Sequence, residues 1–73
     1  MNGHVKITRE LKVGDKVSVR RWDNTERPRN KLGDPATVLT VQTGVNCESG
    51  VMVEVQGSKN GPCTLDKNWL SEL

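Results

Sequence analysis

The chain predicts a small all-β domain, a barrel or sandwich. Three observations carry that reading. Short valine-rich runs with a period of two recur along it. Clusters of Gly, Pro, Asn and Asp separate those runs. Almost no helical pattern accompanies them. With 73 residues the chain makes one domain. Such a domain buries only about 60% of its unfolded surface, so the core is thin and leaves little room for an enclosed pocket.

The elements follow in order. In residues 1–10, Val5 and Ile7 alternate with Lys6 and Thr8. A brief strand or a frayed segment is expected there, ahead of a folded unit at residues 11–73. Gly14-Asp15 marks a turn. Val17 and Val19 then face inward while Lys16, Ser18 and Arg20 face out. A long loop follows over residues 20–35. It has turn formers at Asp23-Asn24 and Arg27-Pro28 and closes at Gly33-Asp34-Pro35.

Ala36-Thr37-Val38-Leu39-Thr40-Val41-Gln42-Thr43 is the second strand. Under strict alternation Ala36, Val38 and Val41 cannot share a face. A bulge near Leu39-Thr40 reconciles them. After a polar loop at residues 44–50, Val51, Val53 and Val55 face inward on a third strand. Residues 57–61, Gly-Ser-Lys-Asn-Gly, form a hairpin loop. Pro62 to Leu65 returns as a fourth strand, with Cys63 near Val55 and with Cys63 and Leu65 inward. Asp66 caps one helical turn through Trp69. Leu70 and Leu73 end in a short fifth strand.

Charge is uneven. Residues 1–31 hold nine basic and four acidic side chains, a net of +5; residues 32–73 hold two and five, a net of −3. Residues 20–31 alone contribute Arg20, Arg21, Arg27, Arg29 and Lys31, together with Trp22. A basic segment with one large aromatic, on a β scaffold, is where binding is expected.

Catalytic signals are weak. His4 is the sole histidine and falls outside the patterned core, so no nucleophile–base pair is indicated. Asp34 and Asp66 have turn and cap roles, and Asp23 and Glu26 sit among arginines. Residues 57–61 precede a strand, so they lack the helix amides of a phosphate site. Cys47 and Cys63 fit no zinc spacing. The strand reading also separates them by more than the roughly 7 Å that a disulfide tolerates. No cofactor, metal or small-molecule substrate is expected. No apolar run reaches membrane length and the first residues lack a signal-peptide core, so the expected location is the cytoplasm, away from membranes.

The runs Lys12-Val13-Gly14-Asp15-Lys16-Val17-Ser18-Val19, Pro35-Ala36-Thr37-Val38 and Leu65-Asp66-Lys67-Asn68-Trp69-Leu70 resemble the SH3-like small barrels. That group includes KOW-type nucleic-acid modules, the photosystem I subunit IV and small phage or plasmid proteins. The resemblance covers residues 11–73. It implies a five-stranded barrel with a long first loop and one 3-10 turn before the last strand. It implies a fold and not a role. The chain has no Tyr or Phe, so it cannot build the aromatic groove of a signalling SH3 domain or a Tudor-type cage. It also lacks the Val-Gln-Ile-Tyr run of the plasmid-type dihydrofolate reductase.

Several readings of residues 20–31 stand. In one, Trp22 folds back over the domain and the arginines are simply solvated. In another, Arg20, Arg21, Trp22, Arg27, Arg29 and Lys31 dock an acidic protein surface, with Trp22 as apolar anchor. In a third, the same cations meet phosphates while Trp22 stacks on a base. The expectation is a non-enzymatic interaction module, of the kind a phage or plasmid accessory protein would be, binding an acidic protein. Nucleic-acid binding and a structural subunit of a larger complex are the alternatives.

Overall fold

A computed structural model describes residues 5–21 and 32–73. Four strands form one antiparallel sheet in sequence order: β1 (Lys16–Val17), β2 (Ala36–Thr43), β3 (Val51–Gln56) and β4 (Cys63–Asp66). A 3-10 turn, Lys67–Trp69, follows β4.

The hydrophobic alternation sets the sheet. Val17, Val38, Val53 and Val55 have no exposed surface, and Leu70 closes over them from beyond the 3-10 turn. Burying each such side chain contributes about 1.5–3 kcal/mol. Val55 pairs with Cys63 and Val53 with Leu65. Leu65 is buried and Cys63 is half-buried against the core. Both cysteines are free thiols.

The register of β2 against β3 shifts between Val38 and Thr40. Before the shift Val38 faces Val55, and after it Val41 faces Val53. Opposed residues share a face. The extra residue, Leu39, therefore puts Val38 and Val41 on one face, as the bulge expectation required, but only Val38 is buried there and Val41 stays exposed.

The five-stranded closed barrel is not formed; the sheet is open and has four strands. Two local contacts explain the difference. The N–H of Val19, which would extend the β1 ladder, goes instead to the Asp34 carboxylate at 2.7 Å. After the 3-10 turn, Ser71 makes isolated bridges to Ser18 and to Lys6 and, among the described residues, no fifth strand. Ser18 and Ser71 exchange two backbone bonds of 2.9 and 3.0 Å. Leu73, expected in a last strand, is exposed. Ser18, expected to face out, is buried and donates to Asp34 Oδ2 at 2.7 Å.

At the other end Ile7 and Leu11 join the core while Val5 stays exposed, so Val5 and Ile7 do not share a buried face. Arg9 fastens this segment. Its guanidinium pairs with Glu72 at 2.9 Å and with Asp15 at 2.9 Å, and Lys67 Nζ donates to its carbonyl at 3.0 Å.

Among the described residues no helix is long and apolar enough to cross a membrane.

Candidate functional site

The basic segment leaves and re-enters the domain between two fixed points. On the outgoing side Asp34 holds Val19 and Ser18. On the returning side Lys59 N and Asn60 N both donate to the Leu32 carbonyl, at 2.8 and 3.1 Å, and Ser58 N donates to the Gly33 carbonyl at 3.3 Å. The hairpin at residues 57–61 therefore grips residues 32 and 33. Gly57 permits this grip, because a Cβ there would collide with the Leu32 carbonyl.

Of the partner-binding residues expected from the sequence, Arg20 and Arg21 are described. Trp22, Arg27, Arg29 and Lys31 lie outside the described residues, as do Asp23 and Glu26. Arg20 is exposed. Arg21 is not: its side chain keeps only 15% of its exposure, against 60% for its ion-pair partner Glu48. The guanidinium carbon lies 4.8 Å from the Trp69 ring centroid, and Nη1 donates to Glu48 Oε1 at 3.3 Å. The cation thus lies against an aromatic ring and pairs with a carboxylate that faces water.

Beside this pair is an open groove of about 520 Å³, walled by the loop after β2, by β3 and β4, and by Trp69. Val45, Cys47, Met52 and Trp69 supply apolar and sulfur surface; Glu48 and Asp66 supply charge. Met52 and Asp66 are register partners, so both rise from the outer side of the sheet. Gly44 lets the loop close, since a Cβ there would meet Cys47 Sγ and the Met52 side chain.

Asp66 organises this wall. Its Oδ2 accepts from Glu48 N at 2.7 Å and from Ser49 N at 3.3 Å. Its Oδ1 accepts from Asn68 N at 2.9 Å, the expected cap of the 3-10 turn. Burial works against its charge, but hydrogen bonds from Ser49, Asn68 and Glu48 outweigh burial and hold the carboxyl below the ordinary range. It stays ionised at neutral pH.

Trp69, the end of the capped turn, packs partly on the core and also carries Arg21, and Cys47 is half-buried in the groove wall. One signal for this site was available in the sequence, since the loop before β3 and the cap after β4 had to meet at the Met52–Asp66 end.

The described residues therefore define an open four-stranded β-domain with an arginine–tryptophan–carboxylate cluster at the rim of a groove. No protein-family model, curated protein or solved structure matches the chain.

Proposed function

We propose that this chain is a non-enzymatic interaction module that docks an acidic segment of a protein partner. Arg20, Arg21 and the basic segment they begin form the contact. The observation that carries this reading is the Arg21–Trp69–Glu48 cluster. An arginine seated against a tryptophan is the kind of anchor that dominates protein interfaces. Its carboxylate partner is exposed, and a pair of that kind contributes under about 1 kcal/mol. A carboxylate from a partner replaces Glu48 at little cost, and the groove beside it takes an apolar side chain.

The groove's apolar lining favours a protein partner over nucleic acid: Val45, Met52 and Trp69 offer a seat for an aliphatic side chain, while Glu48 and the ionised Asp66 oppose a continuous row of anions along it. An arginine seated on Trp69 at the rim of an open groove is a recognition surface.

The test is a titration with a glutamate-rich peptide carrying one leucine, against a single-stranded oligonucleotide of equal charge. The peptide should bind, and the Arg20→Ala, Arg21→Ala and Trp22→Ala/Arg27→Ala variants should bind it about tenfold more weakly while keeping the wild-type circular dichroism. Binding of the oligonucleotide alone, with a steep salt dependence, would support the nucleic-acid reading instead.

A further inference from the structure

Among the described residues, β2 has an open edge. β1 pairs only with Ala36 and Thr37, and Gly14 and Asp15 extend the contact as far as Val38. Among the described residues no strand pairs with that side of residues 39–43. The direction of the backbone groups there follows from the ladder. Gly44 N donates toward Gly50 on the β3 side. Antiparallel bonding alternates, so Thr40 and Gln42 bond toward β3 while Val41 and Thr43 direct both N–H and C=O outward.

Edges of this kind are usually blunted by a charge or a proline. This one is not, because Ala36–Thr43 contains neither. The bulge, the other common protection, sits at its beginning and leaves residues 40–43 regular. β4, the sheet's other edge, differs, since it is shorter and carries Asp66.

We propose that residues 40–43 of β2 pair antiparallel with the same segment of a second copy of this chain. The edge is complementary to itself. A two-fold axis through Gln42 sets Val41 opposite the partner's Thr43, and each pair exchanges two backbone bonds, four in all. The axis also brings Leu39 of one copy toward Val45 of the other. These are exposed apolar side chains of this region, Leu39 at 36% and Val45 at 91%. The absence of charge removes the repulsion that would oppose an in-line copy. The contact is smaller than the roughly 1,200–2,000 Å² of a stable interface. The dimer is therefore weak and forms at high protein concentration.

Sedimentation of the full chain under reducing conditions, up to about 1 mM, tests this. A monomer–dimer equilibrium is expected, and Gln42→Glu, which sets like charges face to face on the axis, should weaken it about fivefold. In a Cys47→Ser/Cys63→Ala background, Gln42→Cys should form a disulfide-linked dimer on mild oxidation. Residues on such an axis, in a non-hydrogen-bonded pair, have Cα atoms about 4.5 Å apart, within disulfide reach. Thr64→Cys, exposed on β4, is the control. A chain that stays monomeric throughout would overturn the proposal. So would a dimer indifferent to Gln42→Glu that cross-links no better at position 42 than at position 64.

Discussion

The Asp34 carboxylate accepts the backbone N–H of Val19 at 2.7 Å, and its second oxygen accepts the Ser18 hydroxyl at the same distance. These two bonds close the neck of the basic segment. They also turn the chain away from the β1 ladder, so the residue that limits the sheet also positions the candidate site. Replacing Asp34 with Ala leaves the Val19 N–H and the buried Ser18 hydroxyl without their partner. The expected loss is about 2 kcal/mol of unfolding free energy by urea titration, and Asp34→Asn, which keeps an acceptor for Val19, should lose less.

Gly57 tests the other side of the neck. Alanine there would drive a Cβ into the Leu32 carbonyl, which also accepts from Lys59 and Asn60. Backbone cannot yield as a side chain does. Gly57→Ala should destabilise the domain by about 2 kcal/mol. Amide exchange should quicken at Lys59 and Asn60 before it does in β3.

Ser71 makes the opposite prediction. Its hydroxyl is fully buried and finds no hydrogen-bond partner among the described residues, although its backbone pairs twice with Ser18. An unpaired buried polar group costs about 1–3 kcal/mol. Ser71→Ala removes the group and keeps the backbone, so it should raise stability by about 1 kcal/mol in thermal or chemical unfolding.

Acid should weaken the fold in a defined window. Asp66 is held below the ordinary range because hydrogen bonds from Ser49, Asn68 and Glu48 overcome burial. Asp15 is lowered by the Lys12 amide and then by Arg9. Lowered carboxyls bind fewer protons in the folded than in the unfolded state. Their contribution is therefore fully present above the ordinary aspartate value of about 3.9 and is lost as pH falls through the lower, folded values. The melting temperature should drop between about pH 5 and pH 2, and Asp66→Asn should flatten that drop.

Local pattern made much of the fold legible. The period of two placed Val53 and Val55, the mismatch among Ala36, Val38 and Val41 required the bulge, and Asp66 announced its cap. The closure of the sheet was not legible. It turned on where one carboxylate, Asp34, would send its oxygens, and on Ser71 making isolated bridges to Ser18 and Lys6 rather than a strand. For the site, the sequence identified Arg20 and Arg21 as candidates by charge alone. That Arg21 would lie on Trp69, with Glu48 beside it, depends on a contact between distant parts of the chain that no local pattern encodes. The loop containing Cys47 looked plainly polar because Cys47 and Met52 come to line one groove only when Gly44, where a Cβ would meet both, lets the loop fold back.

The docking account rests on Arg21 exchanging Glu48 for a partner's carboxylate, and the affinity of Glu48→Gln for the glutamate-rich peptide tests that most directly. Glu10→Gln, which makes the same charge change at another exposed position, is the reference. If Glu48 competes for Arg21, Glu48→Gln should bind about threefold to fivefold more tightly than Glu10→Gln, the worth of an exposed pair, and adding Arg21→Ala should erase the gain. Equal affinities for the two variants, or a gain that survives Arg21→Ala, would contradict it.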